Sequence, residues 1–263
     1  MKKLALILAL LMPAAAFAQT VNFAGRASVG ADYKIVKGLH IAVEEELRAG
    51  DGFSSLGSVR STAQITYKPL KFVKLGAGYT LINSWSSSDN AFKSPRHRFF
   101  LDVSGNLRLG DVQFSLKERL QLTHRTGSYN VYQNTPNALA LKTRLGVKYK
   151  GWKKVEPHLY YEIRTALNDP WGTISGSALI DDDGNTYYAY TPAGYTHVYN
   201  NRYRGNIGLD WKLSKHHELS PYILLDYCSE YELDTNKAGT KFYSAAYDNV
   251  FRVSLGLGYV FKF

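Results

Sequence analysis

Every odd position from Phe251 to Phe263 is apolar or aromatic, and the even positions between are Arg, Ser, Gly, Gly, Val and Lys. Successive side chains of a strand point to opposite faces, so this stretch carries a continuous greasy stripe on one face and small or charged groups on the other. Helical spacing would scatter the same residues around the axis. The pattern recurs. Ala27, Val29, Ala31, Tyr33 and Ile35 alternate with Arg26, Ser28, Gly30, Asp32 and Lys34, and the same holds over 73–81, 98–103, 139–148 and 202–211. The stripes run about 10 to 14 residues, closer to a tilted membrane strand than to the roughly 5 or 6 residues usual in soluble sheets. A soluble secreted sandwich alternates too and stands as the fold alternative. Beyond the N-terminus no apolar run approaches the roughly 20 residues of a membrane helix.

The N-terminus reads as an export signal over residues 1–18. Lys2 and Lys3 form a basic start, Leu4 to Met12 a short apolar core, Pro13 a break, and Ala16-Phe17-Ala18 a small-x-small cleavage site. No cysteine follows it, so no lipid anchor is expected. The remaining 19–263 form one domain. Its single cysteine, Cys228, excludes an internal disulfide framework. Charged residues at 21% and aromatics at 14% argue against disorder.

Four short connections share one spacing of aromatic, Lys, any, any, Lys: Tyr33 to Lys37, Tyr67 to Lys71, Tyr149 to Lys153 and Trp211 to Lys215. A fifth, Leu109-Gly110-Asp111, departs from it. Longer polar segments lie between them at 50–56, 86–94, 126–137, 168–199 and 234–248. Short turns at one end and long loops at the other are the pattern of outer-membrane barrels. The aromatics fall where an interfacial girdle would be, with lysines reaching toward headgroups. The expected fold is therefore all-β: an antiparallel transmembrane β-barrel of 10–12 strands, with long extracellular loops and short periplasmic turns. Eleven strand candidates are visible, an odd number where bacterial barrels have even counts. A missed strand, a segment 26–35 lying inside the lumen, or parallel closure would each resolve this.

Asp32 to Arg48, Tyr67 to Ile82, Pro95-Arg96-His97-Arg98, Tyr160 to Arg164, Arg202 to Lys215 and the C-terminal strand resemble the domain of unknown function 2490 (DUF2490) family of predicted outer-membrane barrels. The resemblance implies a barrel in the bacterial outer membrane. It transfers no activity, catalytic residue or cofactor. The terminal Tyr259, Phe261 and Phe263 look like the signal read by the barrel assembly machinery, an expected partner alongside outer-membrane lipids.

Assigning the charged face to the interior gives a set of lumen-lining candidates: Glu44, Glu46, Arg48, Arg60, Arg98, Asp102, Lys117, Arg119, Lys142, Arg144, Glu162, Arg164, Arg202, Arg204, Asp226 and Arg252. Excess Arg and Lys in a lumen favours anions. The leading expectation is a small pore or solute-binding channel with a basic lumen and a small anionic solute. The alternatives are a closed, salt-bridged barrel acting through its loops and a lipid-modifying barrel enzyme. Glu45 and Glu118 break the alternation and mark bulges or interfacial positions. The histidines (His40, His97, His124, His158, His197, His216 and His217) sit in no Ser/His motif, although His97 or His124 with Ser104 or Ser115 is a conceivable dyad. No enzyme activity, cofactor or metal is expected. Asp181-Asp182-Asp183-Gly184-Asn185 reads as a hairpin turn rather than a calcium loop, since it lacks a closing Glu. The formal charge of +10 is spread along strands and turns, which with the export signal excludes nucleic acid as a partner.

Overall fold

The structure, a computed structural model, describes residues 20–263, so the expected signal at 1–18 lies outside the described residues. The strands are β1 (Thr20–Val36), β2 (Leu39–Gly50), β3 (Ser55–Leu70), β4 (Val73–Ser86), the two-residue β5 (Ala91–Phe92), β6 (Arg96–Leu109), β7 (Val112–Arg125), β8 (Asn137–Tyr149), β9 (Val155–Ile180), β10 (Thr186–Lys212), β11 (His217–Thr235) and β12 (Lys241–Lys262). β5 only pairs with the end of β4. The other eleven form one closed sheet, each paired to its chain neighbour, with β1 joined to β12.

That last pairing explains the odd count. β1 runs parallel to β12, from Thr20 opposite Val250 to Asp32 opposite Lys262, and every other wall pairing is antiparallel. Both strands run toward the short-turn end, so no missed strand is needed and 26–35 lies in the wall. The Phe263 N–H donates to the Asp32 carbonyl at 2.9 Å, and the Phe263 ring meets Tyr33 edge-on at 5.9 Å.

The barrel is inside-out relative to a soluble domain. Leu101 and Leu107 are 61% and 60% exposed, whereas Asp226 is 1% and Glu162 2% exposed. Period-two sequence produces this directly, because the strands turn most of their apolar residues outward and most of their charged ones into the lumen. Tyr33, Tyr67, Tyr149 and Trp211, the aromatics of the four repeated turns, all lie exposed at the short-turn end with Phe72, Trp152 and Phe263. Among the described residues no helix is long and apolar enough to cross a membrane.

Two expectations about the other end are corrected. The segment 168–199 is not a loop. β9 and β10 run on through it as strands of 26 and 27 residues, and only 181–185 turns. The segment 234–248 likewise belongs mostly to β11 and β12, of 19 and 22 residues. This wall therefore rises well beyond the roughly 9 to 11 residues a membrane strand needs. Its Tyr, Thr and Gly content resembles loop composition, but Tyr and Thr also favour strands. At the tip the Gly184 N–H donates to the Asp181 carbonyl at 3.0 Å, and Gly184 has φ 82°, the hairpin turn expected.

Glu45 and Glu118 mark no bulge. Each points outward in regular register and accepts a hydroxyl from the next strand, from Ser61 at 2.9 Å and from Thr143 at 2.8 Å. Two lumen glycines make room for rings. A Cβ on Gly78 would lie 2.3 Å from Phe100 and 2.8 Å from the Ala63 carbonyl, and one on Gly256 would lie 2.0 Å from Tyr222.

Candidate functional site

The barrel encloses a cavity of about 860 Å³. Its lining runs from Asp32 and Asp210 near the short turns to Arg96, Arg125, Tyr199 and Glu230 near the other end. Thirteen Arg and Lys side chains line it against six Asp and Glu. Twelve of the sixteen candidates reach this lining: Glu44, Glu46, Arg48, Arg60, Arg98, Lys117, Arg119, Lys142, Arg144, Arg164, Arg202 and Arg204. Asp102, Glu162 and Asp226 face the same way but lie behind the cations they pair with. Arg252, also inward by register, stands opposite Asp226 and Asn22 at the seam and does not reach the cavity lining.

Two ion-pair networks stiffen the wall. Asp226 on β11 is gripped by Arg204, Nε to Oδ1 at 2.5 Å, and by Arg26 at 3.1 Å. Arg204 also reaches Glu162 at 3.4 Å, and Glu162 takes Arg144 Nη2 at 2.5 Å. The chain Arg26–Asp226–Arg204–Glu162–Arg144 thereby ties together β1, β11, β10, β9 and β8, crossing the parallel seam. In the second network Arg119 holds both oxygens of Asp102, at 2.6 and 2.7 Å, and Lys117 adds a contact at 2.7 Å. Arg119 stacks over Phe100 at 3.8 Å and Arg144 over Tyr160 at 4.1 Å. Near the short turns the acids are also paired: Asp210 with Lys148, Glu156 with Lys212, Glu218 with Lys262 and Asp32 with His40.

What remains is a row of cations only partly matched by carboxylates. Strand register puts Arg119, Lys142, Arg164 and Arg202 directly side by side on β7, β8, β9 and β10, all facing the lumen. Like charges set opposite each other in a sheet repel. Arg119 is neutralised by Asp102, and Arg202 has only a loose contact with Glu230 at 3.7 Å. Among the described residues Lys142 and Arg164 have no ion pair. Nor do Arg60 and Arg98, whose guanidiniums reach only the hydroxyls of Ser58 at 3.4 Å and Thr123 at 3.2 Å. Among the described residues two lining acids near this belt have no ion pair: Glu44, which sits beside the Arg48-held Glu46, and Asp169, which accepts the Tyr199 hydroxyl at 2.8 Å.

The segment between β7 and β8 leans over the open end. Asn130 Nδ2 donates to the carbonyls of Thr235 at 3.0 Å and Asn236 at 3.2 Å. Gln133 Nε2 donates to Asp234 Oδ1 at 2.9 Å, and the Tyr195 hydroxyl donates to the Val131 carbonyl at 3.1 Å. The β11–β12 turn it reaches is three strands away around the wall, so the segment spans part of the mouth. Gln133, Asn134 and Thr135 line the cavity from above.

Sequence reasoning passed over Arg26, Arg96, Arg125, Lys148, His158 and Asp210. Parity puts Arg26 on the inner face, so its sequence signal was present; Arg96 and Arg125 lie at strand ends, where parity is weakest. Cys228 faces inward, with Arg202 Nε 3.2 Å from its sulfur. The conceivable dyads are not assembled. His97 and His124 turn outward to Tyr79 and Asn137, while Ser104 and Ser115 turn inward. His216 and His217 hold the C-terminal strand, through the Lys262 carbonyl and the Tyr259 hydroxyl, each at 2.6 Å.

Residues 27–179 match the family described as "Protein of unknown function (DUF2490)". None of the curated proteins compared with the chain matches it. Among solved structures it is similar to the outer-membrane expressed OmpT of Vibrio cholerae, with 8% identity and a TM-score of 0.34. That similarity covers 79% of this chain and 60% of the other, so the chain spans less than two thirds of that protein.

Proposed function

The chain belongs to the DUF2490 family, and from that premise we propose an outer-membrane barrel whose basic interior takes up a small anionic solute, as a narrow channel or solute-binding barrel. The observation that carries this reading is the lateral row Arg119–Lys142–Arg164–Arg202. Four adjacent cations, two without an ion pair among the described residues, repel one another and favour an anion between them. The outward apolar stripes, the aromatic ring at the short-turn end and the outward-facing Tyr259, Phe261 and Phe263 support residence in the outer membrane and delivery by the assembly machinery.

The test is conductance across a planar bilayer under a salt gradient, using refolded protein. The expected result is steady unitary steps with an anion-selective reversal potential, moved toward cation selectivity by Arg164→Glu. A barrel that inserts and stays silent would instead favour a closed lumen acting through its raised wall. The segment 126–136 over the mouth and the exposed Ile174, Leu179, Ile180 and Val198 of the β9–β10 hairpin support that second reading. Before either result is read, boiled and unboiled samples should migrate differently in a detergent gel.

A further inference from the structure

Beside the unpaired cations the cavity wall holds buried hydrogen-bonding atoms that have no partner within the protein. Gln121 is 1% exposed and donates through Nε2 to Thr123 at 3.4 Å, which leaves Oε1 without a partner. Asn201 is 4% exposed, and its Oδ1 is equally unpartnered. Both line the cavity. Their positions match the cation row. Gln121 follows Arg119 on the same face of β7, and Asn201 adjoins Arg202 where a register shift on β10 turns it inward. A buried amide oxygen left unbonded costs free energy that a donor recovers. An inorganic anion has acceptors but little to donate, so it satisfies Lys142 and Arg164 and leaves Gln121 and Asn201 as they are.

Resting on the anion reading above, we propose that the lumen ligand is a phosphorylated sugar. Its phosphate would lie between Lys142, Arg164 and Arg98, and its hydroxyls would donate to Gln121 Oε1 and Asn201 Oδ1. A rigid guanidinium fork suits phosphate oxygens, and a polyol has the donors that the two amides lack. A cavity of about 860 Å³ holds a ligand of that size.

The test is titration calorimetry of the refolded full chain in detergent with glucose 6-phosphate, inorganic phosphate and glucose at one ionic strength. Glucose 6-phosphate should bind more tightly than phosphate by at least about fivefold, the usual scale of one added hydrogen bond, and glucose not measurably. Gln121→Leu and Asn201→Leu should each remove most of that preference and leave phosphate binding intact. Arg164→Gln and Lys142→Met should weaken both anions together. Each variant is first checked for heat-modifiable migration, and the two amide variants give independent readings should one fail to fold. Equal binding of phosphate and sugar phosphate, weakened alike by Arg164→Gln, would overturn the sugar assignment and leave the anion reading standing. No binding of any anion by a folded barrel would overturn both.

Discussion

Two arginines at neighbouring levels of one wall have opposite roles. Arg204 is locked between Asp226 and Glu162, both almost fully buried, while Arg164 on the adjacent strand has no ion pair among the described residues. Removing one member of a buried pair strands the other charge, which costs about 3 kcal/mol or more. Arg204→Ala is therefore expected to lower the urea midpoint of the refolded barrel sharply, even though Arg26 still touches Asp226. Arg164→Gln removes a repelled cation and should leave that midpoint unchanged or slightly raised, with its effect appearing in anion binding. A larger stability loss for Arg164→Gln than for Arg204→Ala would mean the pairing scheme is wrong. Sequence alone did not separate these two residues. Parity placed both in the lumen, but parity carries no lateral register, and which carboxylate lies beside which arginine is decided by register alone.

At the scale of elements, strand identity was legible and strand extent was not. The alternation 99, 101, 103 outward against 98, 100, 102 inward reads off the chain because the strand period is two. The reach of β9 and β10 through 168–199 was hidden because those residues alternate weakly and no lipid forces them to. The glycines of the inner face show what alternation does decide. Gly78 is small because the Phe100 ring, on which the Arg119 guanidinium stacks, lies against it. Gly78→Ala drives a methyl into both that ring and the Ala63 carbonyl, a collision of the overpacking kind, expected to cost about 1–3 kcal/mol. It should also displace Arg119 from Asp102 and so shift the anion reversal potential. An unchanged unfolding midpoint would show that β4 and β6 relax apart more easily than their register implies. The hairpin tip makes a pH prediction. The Asn185 backbone N–H, helped by the Tyr243 hydroxyl, holds the Asp181 carboxyl below its ordinary value of 3.8. The folded turn thus gains stability that is present above that value and lost as pH falls through the lower folded one. The Asn185 amide resonance in detergent should titrate with a midpoint below 3.8, whereas a midpoint at or above it would remove the hydrogen bond.

For the whole molecule the governing fact is the parallel seam. Closure joins the two ends of the described chain, so the barrel cannot shut until nearly the whole chain is in place. The seam is nevertheless not the only closure the topology allows. β2 leaves the short-turn end and β12 arrives there, so these two strands run antiparallel. A chain without residues 20–36 could pair them directly into ten strands, all antiparallel and even in number, as bacterial barrels usually are. It would lose the Arg26 contact to Asp226 and a strand's width of lumen, while keeping the Arg204–Glu162–Arg144 chain and the cation row of β7 to β10. Such a variant is therefore expected to refold with boiling-sensitive migration, a lower urea midpoint and a smaller conductance of unchanged anion preference. If it yields no compact band, β1 is required for closure itself, and the eleventh strand completes the wall. If it yields one, β1 is a spacer that widens a lumen the other ten strands could already enclose, and its Arg26 is there to steady Asp226 across the widened seam.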